Sequence, residues 1–492
     1  LIRAVTAIAL LAAASIMPPQ SAHGQTGAYC QFSANAIAEK NQLRQLALQG
    51  DTAAQEQYKN LLGQHAQQLQ NCRNQTWPQE QALWVRLYPC DARPGALDQL
   101  MDEVVNKGYN RVHVEALYNG QILLPEAANT TPWPSVIRTP GHENIDLLAA
   151  AIAKGRERGL EVYAWVFSMN AGYTYGQRSD RQSALAYNGW GQTSLTARSQ
   201  VGINAGGSGN TEEVFVDPYS LTAKQDFYGA VEAIAQRRPD GILFDYIRYP
   251  RGSGANSVAD EVQDLWIYGP SSQQVLQQRA LNQRGRELIR RFISQGYISS
   301  GDIDAVKSLY PQETEPQWQG RSPSARIDAT SSSLQPYLHR ELWALSVAHA
   351  MQGVLDFLAV GTLAAERQGL PGGAVFFPDG NQTVGQGFDS RLQPWDRFPS
   401  TLEWHPMSYA TCGNTSCITA QVLRVVQRAS YGTEVKPVLA GTWGQSTSDR
   451  PSLELQMQSI RQAAPRINSI SHFAYSWQEP QRDQERKFCQ LR

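Results

Sequence analysis

The chain is short of charge. Only 18% of its 492 residues are Asp, Glu, Lys or Arg, and 43 basic residues against 44 acidic ones leave a formal net charge of -1. Without surplus positive charge there is nothing to neutralise a phosphate backbone, so nucleic-acid binding is not expected. No CxxC pair or histidine cluster occurs, which removes the ligand set of a zinc site, and no metal is expected. No phosphate-binding glycine loop is present either, so no organic cofactor is implied. A long apolar run occurs once, from Ala4 to Met17, and it is shorter than the roughly 20 residues of a membrane span.

That run follows Arg3 and precedes a polar stretch ending in Ala22, His23 and Gly24, the layout of a secretory signal cut after Gly24. Residues 1–24 are expected to be a signal peptide, with an uncleaved anchor as the alternative. The remainder is expected to be secreted or periplasmic and free of the membrane. Six cysteines fit an oxidising compartment. Cys412 and Cys417 close a short loop, Cys30 and Cys72 flank a helical stretch, and Cys90 and Cys489 pair by elimination. Six cysteines allow 15 pairings, so only the local bridge is read directly. The sequence gives no oligomeric state.

Residues 33–70 are rich in Ala, Gln, Leu, Glu and Lys, with a break at Gly50 and Asp51. This predicts a helical hairpin within residues 25–80, packed against the main domain or a partner. From Ala82 onward, short β-branched or aromatic runs alternate with helical patterns. Eight strands are expected, at 83–87, 111–116, 161–167, 241–246, 374–377, 402–408, 437–441 and 472–476. Eight β/α repeats predict an α/β protein, a (β/α)8 TIM barrel over residues 81–492, whose site lies at the C-terminal strand ends. Two connections are long. Residues 168–213 and an insertion at 251–336 are read as cleft walls, with disorder as the alternative for 313–333.

Alternation places candidate chemistry on the rim. On strand two, Val112 and Val114 face the helices, so His113 and Glu115 face inward; Glu115 is an acid, a base or a sugar ligand, or the partner of a neighbouring arginine. On strand four, Ile242 and Phe244 face outward and Asp245 inward, at the end where this fold carries catalytic groups. Phe244, Tyr246 and Tyr249 would desolvate Asp245 and raise its pKa, while Arg248 would oppose this. Asp217, followed by Pro218 and Ser220, suits capping as well as catalysis. His405 on strand six is a substrate contact or a core histidine. Asp379 and Glu479 add rim carboxylates, and Trp165, Trp404, Tyr409, Trp443 and Trp477 add aromatics. Aromatic faces stack on sugar rings and paired carboxylates cleave glycosidic bonds, so the set reads as a glycan cleft.

Several motifs together resemble the bacterial glycosyl-hydrolase-like family 10 proteins, across most of the chain from Leu83 to Trp477. They are Trp84, the step from Lys107 to Asn110, the segment from Glu157 to Trp165, the Asp217 and Pro218 pair, the run from Asp240 to Asp245 with Arg248 and Pro250, Gln393 with Trp395, and Pro406 to Tyr409. The resemblance implies an exported barrel acting on polysaccharides. Two departures bear on mechanism. Leu243 and Tyr246 stand where that family often has His and Asp. Leu243 and Ile247 replace the middle Asp and the catalytic Glu of the family 18 chitinase motif.

The combined expectation is an exported glycoside hydrolase acting on a polysaccharide of a bacterial envelope or matrix. Asp245, Glu115 and Asp217 are its candidate catalytic residues, and Trp165, Tyr246, Arg248, Asp379, His405, Tyr409, Trp443 and Trp477 its candidate substrate contacts. A catalytically silent glycan-binding or envelope-scaffold protein is the alternative.

Overall fold

The computed structural model describes residues 29–200, 213–322 and 329–491. The expected signal peptide lies outside the described residues, as does the middle of the segment read as disordered. The main body is a closed barrel of eight parallel strands: β1 (Glu80–Val85), β2 (Arg111–Tyr118), β3 (Glu161–Phe167), β4 (Gly241–Asp245), β5 (Gly372–Phe376), β6 (Glu403–Ser408), β7 (Val438–Ala440) and β8 (Ser469–Phe473). Each strand pairs with the next, and Ala82 opposite Ser471 closes the ring between β1 and β8. The expected TIM barrel is therefore present. β1 and β8 begin at Glu80 and Ser469 rather than at Leu83 and His472, because polar residues at these strand starts hide them from an apolar pattern.

The hairpin is formed by α1 (Ala34–Leu48) and α2 (Thr52–Gln75), with Gly50 at φ +95° and Asp51 capping Ala54 N in the turn. It docks through a buried stripe on α2 that holds Leu62 and Leu69, and through polar groups beside it. Asp102 of α3 (Ala96–Asn106) is fully buried and accepts from Arg44, from Tyr58 at 2.7 Å and from Arg158 at 2.8 Å. Arg73 donates to the carbonyls of Tyr29, Pro78 and Gly108.

After α4 (Leu147–Arg156) and α5 (Leu221–Ala235), the β4 connection carries α6 (Pro270–Gln278), α7 (Gln283–Gln295) and α8 (Ser300–Leu309) before α9 (Ser331–Arg367). The insertion was expected to extend to residue 336. The structure starts α9 at Ser331, capped by Thr330, with Pro336 inside, where a missing N–H forfeits one backbone bond near the helix start. By length and apolarity α9 could cross a membrane, and half of its most apolar window is buried inside this fold. A Cβ at Gly361 would lie 2.6 Å from Phe244, so glycine lets α9 close on β4. The β5 connection has a single turn at Trp395–Arg397 where a barrel helix would stand; α10 (Ser416–Arg428), α11 (Leu453–Ala463) and α12 (Pro480–Lys487) complete the chain.

Three disulfides join Cys30 to Cys72, Cys90 to Cys489 and Cys412 to Cys417, the expected pairing. At the N-terminal end of the barrel, Arg111 pairs with Glu80, Glu161 and Glu403, and Lys436 pairs with Glu80 and Glu403. These charges seal the floor and leave the opposite end for chemistry.

Candidate active site

β4 ends as its alternation predicts. Phe244 packs outward on Phe227, and Asp245, 6% exposed, points into the mouth. Its Oδ2 accepts the Trp165 indole N–H at 3.1 Å and its Oδ1 accepts the Tyr246 backbone N–H at 2.6 Å. Burial raises the Asp245 pKa to about 6; the Tyr246 amide, Arg248 and Trp165 pull against it, and Glu115 adds to the rise. That value suits a carboxylic acid that donates a proton near neutrality. The next residue, Tyr246, has φ +52°, a left-handed backbone that costs free energy in a bulky residue and concentrates at functional sites. This turn sends the Tyr246 hydroxyl to Glu213 at 3.1 Å and sets its ring, tilted by 41°, 4.4 Å from Phe167. Arg248 lies 4.5 Å above the same ring.

Aromatics surround this carboxyl. Trp165 meets Trp84 at 4.8 Å and Phe473 at 6.1 Å, while Phe473 meets Tyr409 at 5.8 Å and Trp477 at 6.4 Å. Burial raises the Tyr409 pKa, and the Asp245 charge adds to it, so these two groups sense each other. Trp477 is 39% exposed, with the Arg450 guanidinium 5.2 Å from its ring. Arg450 also donates to the Tyr409 carbonyl.

Other candidates stand elsewhere. Glu115 faces inward as expected but is fully buried and forked onto Arg86, the arginine-partner alternative of the sequence reading. Burial lowers the Arg86 pKa, and the charge and hydrogen bond of Glu115 together with the Tyr118 and Tyr88 hydroxyls outweigh it; burial also raises the Glu115 pKa, which Arg86 pulls down only in part. Asp217 is fully buried with both oxygens committed: Oδ1 accepts Tyr219 N and Oδ2 accepts Ser272 N, each at 2.9 Å. Its job is to cap α6, whose own N-cap, Gly269, has no side chain. The cap of α5 is Ser220, not Asp217.

His405 lies deep in the barrel, fully buried, 3.1 Å from Glu403 of the floor network and 5.6 Å from the His113 ring. It takes the core-histidine role, because alternation sets the face of a residue but not its height. Trp443 leaves the mouth altogether: after Gly441 the chain turns outward, and its indole donates to Tyr109 and packs on Tyr29 outside the sheet. Asp379 braces two loops, accepting amide N–H bonds from Gln382 and from Gln421 on α10. Glu479 pairs with Lys107. The sequence reading missed Arg86, Glu213, Phe473 and Arg450. Phe473, the last residue of β8, was legible as a strand end; the others depend on long-range contacts. Among the described residues no cluster of three His, Cys, Asp or Glu side chains could hold a metal.

No protein-family model matches the sequence, and no curated protein matches it. Solved structures similar in fold include the PgaB (BpsB) glycoside hydrolase domain from Bordetella bronchiseptica, at 14% identity and TM-score 0.46, covering 84% of this chain and 99% of that one. A β-galactosidase from the psychrophilic Marinomonas ef1 shows 11% identity and TM-score 0.45, covering 80% of this chain and 54% of that one. A family 18 chitinase from Pseudoalteromonas aurantia shows 8% identity and TM-score 0.33, covering 81% and 94%. The resemblance to family 10-like proteins read from the motifs is not matched by a family model.

Proposed function

We propose that the chain is an exported glycoside hydrolase acting on a polysaccharide, with Asp245 as its proton donor. One observation carries this reading: a desolvated carboxyl, raised to about 6 and held by two N–H donors, ends β4 among Trp165, Tyr409, Phe473 and Trp477. A protonated carboxyl can give its proton to a departing glycosidic oxygen, and the surrounding rings suit the C–H faces of sugars. Glu115 is the second carboxyl on this mouth, forked onto Arg86; Asp217, His405 and Trp443 have no part in the reaction.

A second reading, a glycan-binding protein without turnover, is favoured by the commitment of Glu115 to Arg86, which leaves Asp245 without a free carboxylate partner. Reducing-end release from a panel of bacterial polysaccharides, by the full chain and by Asp245→Asn, separates the two. Release by the parent with a loss of about 100-fold or more in the variant supports hydrolysis. Equal glycan binding by both with no release supports the binding protein.

A further inference from the structure

The edge of the mouth between β4 and β5 carries three arginines around one ring. The guanidiniums of Arg391, Arg248 and Arg251 lie 4.6, 5.7 and 6.0 Å from the Phe377 centroid. Only Arg391 is neutralised, by a fork onto Asp389. Arg248 is 6% exposed and makes one hydrogen bond, to the Tyr249 carbonyl; Arg251 makes none, and among the described residues neither has a carboxylate within 4.0 Å. Of the acidic groups nearby, Asp389 is engaged by Arg391 and Asp379 by two glutamine amides, and Asp245, which feels the Arg248 charge, is held by Trp165 and the Tyr246 amide.

A buried cation without an anion is costly, so an arginine held this way needs a reason. Burial, and then the positive charges of Arg391 and Arg248, lower the Arg251 pKa, which reports the same crowding.

The crowd is held rigidly. Val258–Ala259 of the β4 connection pairs with Gly387–Asp389 of the β5 connection, which pairs in turn with Thr383–Val384. Three further bonds, Tyr249 N to Arg391 O, Ser390 N to Ser257 O and Gly252 N to Ser390 Oγ, stitch the two loops together. The arginines are thus placed before any ligand arrives. They stand beside the reacting carboxyl, since Arg248 also covers Tyr246, the neighbour of Asp245.

We propose that Arg248 and Arg251 form an anion-recognising subsite that takes the carboxylate or sulfate substituent of an acidic sugar adjoining the one held at Asp245. The proposal rests on the glycan-cleft reading and names its substrate class. A guanidinium fork matches a planar carboxylate and also donates to a pair of sulfate oxygens.

The test is binding of methyl glucuronide, glucose 6-sulfate and methyl glucoside to the full chain, to Arg251→Gln and to Arg248→Lys. Arg251 is exposed, so its variant keeps the fold, and Arg248→Lys keeps the charge while removing the fork. Expected is binding of a charged sugar about tenfold tighter than of the neutral one, falling to the neutral level in Arg251→Gln and weakened by salt. The tighter of the two charged sugars names the substituent. Equal binding of all three, no binding of any, or charged-sugar binding unchanged in Arg251→Gln would overturn the subsite. Hydrolysis of neutral polysaccharide without charge preference removes the subsite alone. Charge-selective binding without hydrolysis removes the hydrolase reading alone.

Discussion

The indole nitrogen of Trp165 on β3 lies 3.1 Å from Oδ2 of Asp245 on the neighbouring strand β4. This bond favours the ionised carboxylate and so holds down a pKa that burial drives up. Trp165→Phe keeps the ring and removes the donor. Its Asp245 should stay protonated to higher pH, moving the alkaline limb of the pH–rate profile upward. An unchanged limb would mean that Asp245 is not the proton donor.

Asp245 and Asp217 both have their pKa raised from 3.8 to about 6 by burial. The folded chain therefore binds more protons than the unfolded chain between those values, and stability falls as pH rises from 3.8 to 6, then levels off. A rise of this size corresponds to about 3 kcal/mol for each group. Asp245→Asn should remove about half of that fall, read from urea midpoints at both ends of the window.

The Arg86 and Glu115 pair should show strong coupling. Arg86→Met leaves a fully buried carboxylate without its cation and should cost about 3 kcal/mol or more. Glu115→Gln in the same chain should return most of that loss. A double-mutant cycle in chemical denaturation measures it, and additive losses would show that the two side chains do not act as a pair.

Removing the borrowed cap on α6 should affect stability and not chemistry. Asp217→Ala frees the Tyr219 and Ser272 amides and should cost about 1 to 2 kcal/mol. Turnover of a bound glycan should persist in the variant at temperatures where it stays folded. Loss of turnover with an intact fold would restore Asp217 to the reaction.

Much of the barrel could be read from the chain because a parallel strand buried on both faces leaves a short apolar run whatever surrounds it. The inward placement of Asp245 followed from Ile242 and Phe244 alone. Height and direction beyond the strands did not follow. His405 shares the inward face with the mouth residues yet sits on the floor, and Trp443 follows a strand of three residues from which the chain swings outward. Asp217 caps a helix that begins 53 residues later, at Pro270, a partnership no local pattern contains. The arginines around Phe377 meet only because two loops pair as a small sheet.

The Cys90 to Cys489 disulfide spans 399 residues and joins the segment after β1 to the segment after β8. Every barrel strand except β1 lies inside the covalent ring it closes, and β1 ends just ahead of it. A pulling force applied at those two cysteines would run through the sulfur bridge and bypass the barrel. In single-molecule stretching, the oxidised chain should therefore release only the residues outside the ring, the helical hairpin and β1 among them, and the extension stored in β2 to β8 should appear only after a reductant is added.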